Sequence, residues 1–105
     1  MAEIPDLIKD KIINFIKLLE LGNIRIKKAY IYGSYATGNT DKWSDIDIAL
    51  VSDDFSGDMF MDRLRLTNFV YEAGWDISPL PFRTSDFEDS LFARDEIINK
   101  GFQII

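Results

Sequence analysis

A chain of 105 residues with a net charge of -6, no cysteine and no histidine has no disulfide staples, thiol nucleophiles, thiolate or imidazole metal sites, or imidazole bases. Catalysis in such a chain must use carboxylates, hydroxyls, lysine, arginine, or a hard metal bound through oxygen. The acidic balance argues against a grip on long nucleic acid, and no apolar run approaches the roughly 20 residues that span a bilayer.

This length predicts a single domain over residues 1–105 with one core. The start "MAEIPDLIKD" lacks the basic and apolar regions of a signal peptide, so a cytoplasmic location is expected. Residues 5–21 then read as a helix, with Ile8, Ile12, Phe15, Ile16 and Leu19 on one face. Pro5 and Asp6 suit its first turn, and Gly22-Asn23 stops it. Residues 26–32 read as a strand ending at Gly33. Residues 46–51 read as a second strand, apolar enough to be central in a sheet. Residues 52–58, "SDDFSGD", carry loop signals.

Residues 59–73 read as a helix with Leu66, Phe69, Val70 and Ala73 on one face, closed by Gly74. Residues 75–82, "WDISPLPF", read as a third strand whose prolines make its second half an edge or an exit. Residues 84–90 read as loop or one short turn. Residues 91–100 read as a helix capped by Gly101, and "FQII" as a short last strand. Phe82, Phe87, Leu91 and Phe92 fit core better than interface. The order predicts an α/β (α+β) fold, a small mixed sheet flanked by helices.

The stretch "IYGSYATGNTDKWSDIDIALV", residues 31–51, carries the chemistry. On a strand, side chains alternate faces. Asp45 and Asp47 therefore point one way and Ile46 and Ile48 the other, into the core. Two carboxylates about 7 Å apart at their Cα atoms can converge on one cation, and magnesium suits them because it prefers oxygen ligands and keeps positions open for phosphate. Taken alone, Asp-x-Asp also describes surface acids at the mouth of a strand. Two aspartates are, however, poor strand formers placed ahead of a buried-type strand.

Gly33-Ser34 reads either as a plain turn or as a phosphate cradle. In the second reading, glycine admits close backbone approach, and the amides and hydroxyl that follow hold phosphate oxygens. Asp76 lies between Trp75 and Ile77 in the third predicted strand. It joins the other acids if that strand lies beside residues 46–51; otherwise it is an acid at a strand start.

Gly33-Ser34, then ten residues, then Asp45-Ile46-Asp47, then a later strand aspartate: this pattern resembles the DNA polymerase beta-like nucleotidyltransferase superfamily. Within it, "GSYATGNTDKWSDIDIALV" looks most like the minimal nucleotidyltransferase (MNT) domains. The resemblance covers most of the chain, from the leading amphipathic helix to "FARDEIINKGFQII". It implies the polymerase beta-like fold, with Asp45, Asp47 and Asp76 holding divalent metal, two Mg2+ ions in the family pattern, and Asp76 also able to take a proton from an attacking hydroxyl. It implies that Gly33 and Ser34 hold a nucleoside triphosphate and that Ser44 helps to bind phosphate. Many minimal members carry a basic residue where this chain has Thr37, and Lys42 is the nearby substitute.

The activity so implied moves a nucleoside monophosphate, AMP from ATP, to an acceptor hydroxyl. Phosphoryl chemistry of this kind needs positioning and charge neutralisation rather than covalent catalysis. Larger relatives carry a further domain for the acceptor, for which 105 residues leave no room. The expected acceptor surface is thus a second copy or another protein, in a homodimer or hetero-oligomer. The resemblance points to a HEPN-domain toxin, with this chain as its antitoxin. The alternatives are a non-catalytic module that masks its partner, and transfer to a small molecule such as an antibiotic hydroxyl.

Overall fold

A computed structural model of the chain describes residues 4–40 and 44–105. Helix α1 (Asp6–Leu21) leads into strand β1 (Lys28–Tyr32), the single-turn helix α2 (Ser34–Thr37) and strand β2 (Ile46–Val51). Helix α3 (Met59–Ala73), strand β3 (Ile77–Phe82), helix α4 (Thr84–Asp89), helix α5 (Ala93–Ile98) and strand β4 (Phe102–Gln103) follow. The four strands form a mixed sheet in the order β3-β2-β1-β4. β1 is antiparallel to β2 and to β4, and β2 is parallel to β3. This is the small mixed sheet flanked by helices that the sequence predicts, with β2 in its interior.

Period and pleat together build two cores. On one sheet face, Ile12, Phe15, Ile16 and Leu19 of α1 and Leu66 and Val70 of α3 pack on Ile31, Ile46, Ile48, Leu50 and Ile77. On the other, Tyr30, Ala49, Val51 and Phe82 pack on Phe87, Ala93 and Ile97 from α4 and α5. Asp47 has the parity of Ala49 and Val51, so it belongs to this second face, near the start of β2. Each buried aliphatic or aromatic side chain contributes about 1.5–3 kcal/mol. Phe15→Ala, at a fully buried site, would cost about 3–5 kcal/mol.

The helix ends follow local chemistry. α1 stops where Asn23 takes φ 67°, a left-handed conformation that asparagine tolerates. α3 starts at Asp58, whose carboxylate accepts from the Met61 amide at 3.1 Å. Behind that cap, buried Asp62 accepts from the Ser56 amide (2.9 Å), the Ser56 hydroxyl (2.8 Å) and the Gly57 amide (3.0 Å), which ties the 52–58 loop to α3.

Five details differ from expectation. Residues 26–27 precede β1 rather than forming its start, although the Lys27 amide still donates to the Val51 carbonyl at 2.8 Å. Trp75 and Asp76 form a turn before β3. Residues 84–89 are helical; one buried anchor, Phe87, holds α4, and a single apolar residue leaves no periodicity to read. The last helix is wound wide, with the Asn99 amide donating to the Arg94 carbonyl five residues back. Leu91 and Phe92 are exposed, whereas Phe82 and Phe87 are core.

Pro79 and Pro81 sit inside β3 for a reason visible in the ladder. The Asp76 and Phe82 carbonyls accept from β2-side amides, so even-numbered residues turn their backbone toward β2. Residues 79 and 81 face the open edge, where a missing N–H breaks no bond and deters a foreign strand. No described helix is long and apolar enough to cross a membrane.

Candidate active site

The site forms where β1 and β2 end side by side. Gly33 leaves β1 at φ 71°, ψ -144°, a region open essentially to glycine. Its carbonyl accepts from the Ala36 and Thr37 amides at 3.0 and 3.1 Å and so starts α2. Glycine is needed for a second reason: a Cβ here would collide with the Asp47 carboxylate. The turn and the second aspartate are thus in contact, although 13 residues of chain separate them.

Tyr32, Asp47 and Ser78 are register partners on β1, β2 and β3 and share one sheet face. Asp47 is half-buried and its pKa is raised, first by burial and then by the negative charge of Asp45. Asp45 stands just before β2, exposed. The Tyr32 hydroxyl is pushed up to about 12 by burial and by Asp47, and Arg63 partly offsets the rise. Two acids therefore feel each other's charge here, and a cation between them would offset that repulsion.

The sequence-predicted residues divide. Gly33, Ser34, Asp45 and Asp47 gather at the β1–β2 end, and half-buried Ser44 precedes Asp45. Asp76 is next to Asp45 along the backbone, since its carbonyl accepts from the Ile46 amide at 2.6 Å. Its carboxylate instead lies on Lys11 of α1, at 2.9 and 3.0 Å. Alternation did not carry its side chain to the other acids because Asp76 belongs to the turn, not to β3. Among the described residues no group of three acids is assembled for a metal. Thr37 turns its hydroxyl onto the Gly33 and Ser34 carbonyls, both at 3.4 Å. Lys42 lies outside the described residues.

Beside Asp45 an open cleft of about 700 Å³ runs between α3 and the start of β3, within the size range of small-molecule sites. Its walls include Phe60, Arg63, Leu64, Trp75 and Ser78. Sequence reasoning missed these residues. The available signal was that Phe60 and Leu64 are apolar yet lie off the core face marked by Leu66 and Val70.

The family described as a nucleotidyltransferase domain matches residues 9–100. Among solved structures, the chain is similar to a toxin–antitoxin crystallised with AMP-PNP. Identity is 23% and the TM-score is 0.62, over 92% of this chain and 72% of that one. It is also similar to the toxin–antitoxin MntA–HpeT, in a variant with two aspartates, two positions apart, replaced by glutamate. There the identity is 24% and the TM-score 0.62, with the same coverage of 92% and 72%. At such identities the likeness shows the fold. No curated protein matches the chain.

Proposed function

The chain belongs to the nucleotidyltransferase domain family, and from that premise we propose that it moves AMP from ATP to a hydroxyl of a HEPN-domain toxin, as that toxin's antitoxin. The observation that carries the reading is the contact between Gly33 and Asp47, with Asp45 beside it. A nucleotide turn and a carboxylate pair that calls for a cation meet at one point. The AMP-PNP held by one structural neighbour, the toxin–antitoxin nature of both, and the aspartate pair altered in the second support the nucleotide and the partner.

The donor set fits magnesium: two carboxylates with hard oxygens, one of them half-buried and raised in pKa by burial and then by its neighbour. Asp45 and Asp47 would hold the metal, and it would supply charge neutralisation at the transferring phosphate. Asp76, whose carboxylate lies on Lys11, would complete the set once released from that ammonium. Gly33 leaves room for the triphosphate, and the Ser34 and Ser44 hydroxyls donate to its oxygens. The acceptor oxygen attacks the α-phosphorus in line, and the bond to the bridging oxygen breaks. Pyrophosphate leaves with the electron pair, and the acceptor's proton passes to a carboxylate, Asp76 in this reading.

The test uses ATP labelled at the α-phosphate, magnesium, and a HEPN-domain protein co-expressed with this chain. Label should appear on the partner with the wild type and not with Asp47→Asn. Absence of label with folded wild type, or equal labelling by the variant, would overturn the reading.

A second reading, masking of a partner without catalysis, draws on one observation. Phe60, Leu64 and Tyr71 are large and exposed on α3, and exposed Trp75 packs on Tyr71 from the turn that follows, more than solubility alone favours. Protection of cells by an Asp45→Asn/Asp47→Asn variant would favour masking; loss of protection would favour transfer.

A further inference from the structure

A chain of net charge -6 that binds a nucleoside triphosphate must bring positive charge to a polyanion that its overall field repels. The described residues of the turn after β1 do not supply it. Thr37 is uncharged, and its hydroxyl is directed at the Gly33 and Ser34 carbonyls. Most described cations are engaged elsewhere. Lys11, Arg25, Lys27 and Lys100 are in ion pairs. Arg65 donates to the Asp54 carbonyl, and Arg83 to the carbonyls of Asp53 and Phe55.

Arg63 differs. It is exposed on α3, and its side chain makes no ion pair or hydrogen bond with a described residue. It lines the cleft that Asp45 also lines, and it is the one cation among the described residues of that lining. Its charge is felt at Tyr32, the register partner of Asp47. A guanidinium with its donors uncommitted, lining the same cleft as Asp45 but paired with no acid among the described residues, is placed for an anionic ligand.

We propose that Arg63 binds the β- and γ-phosphates of the nucleotide, supplying from α3 the positive charge that the β1–β2 turn lacks at Thr37. This rests on the nucleotidyl-transfer reading and adds a residue to it. The planar fork suits two phosphate oxygens at once, which a lysine in the same place would not match.

The experiment is titration calorimetry of ATP and, separately, of AMP, each with magnesium, into wild type, Arg63→Gln, Arg63→Lys and Lys17→Gln. The last is a charge-matched control on α1 that does not line the cleft. Loss of a charged hydrogen-bonding partner should weaken ATP about tenfold or more and AMP by less than about twofold. Arg63→Lys should recover part of the ATP affinity, and Lys17→Gln should match wild type. Equal weakening of ATP and AMP, or no weakening of either, would overturn the assignment of Arg63 while leaving the nucleotide site standing. Failure of folded wild type to bind ATP at all would overturn the nucleotide reading itself. Because the Arg63 side chain holds no described partner, the variants should melt with the wild type.

Discussion

Replacing Gly33 by alanine tests the contact on which the site is built, because two separable penalties follow. The backbone sits at φ 71°, ψ -144°, and holding an alanine there costs about 1–3 kcal/mol. For a domain of this size, that is a fall in melting temperature of about 5–20 °C. The added methyl also meets the Asp47 carboxylate. That group is the end of a flexible side chain, so it swings away at little cost in stability but leaves the position where it faces Asp45. Thermal melts with and without magnesium and ATP read both effects. The apo protein should melt lower, and ligand should no longer raise the melting point, even at temperatures where the variant is fully folded. A Gly33→Ala protein that melts with the wild type and is stabilised equally by magnesium and ATP would refute the reasoning.

Other outcomes follow from the charges. The Asp47 pKa is raised from 3.8, so folding is penalised once the group ionises. Without metal, Asp47→Asn should therefore melt above the wild type at pH 7, and the difference should close as pH falls below 3.8. Asp53 has the opposite sign: Lys27 and Thr84 hold it at about 2. Asp53→Asn should melt below the wild type at neutral pH, and that deficit should fade as pH falls through about 2. Both are read from melting curves across pH. Lys11→Gln should lower the magnesium concentration needed for ATP binding, because it frees Asp76. The half-exposed ion pair it removes is worth no more than about 1 kcal/mol, and an unchanged magnesium requirement would place Asp76 outside the site. Asp62→Ala strands three donors at the α3 entrance and should cost about 2–3 kcal/mol in a denaturant titration.

Elements with a clear period were legible before the structure. α1, β2 and α3 fall within a residue of where their apolar spacing places them, because each lays a full stripe or face on the core. α4 was not legible because Phe87 alone anchors it. The pairing of Gly33 with Asp47 was legible only as two separate motifs. What joins them is the antiparallel register of β1 and β2, which sets Tyr32 opposite Asp47. Asp76 shows the limit of alternation: one residue outside a strand, the backbone no longer dictates the face, and Lys11 decides where the side chain lies. The cleft and Arg63 depend on how α3 lies against the edge strand β3, a long-range fact with no local signature.

The most direct test of a nucleotide site at Asp45 and Asp47 is titration calorimetry of ATP into the wild type and the Asp45→Asn/Asp47→Asn variant, with and without magnesium. The account predicts binding by the wild type that requires magnesium and is absent from a variant that remains folded. Binding that ignores magnesium, or that survives in the variant, would contradict it.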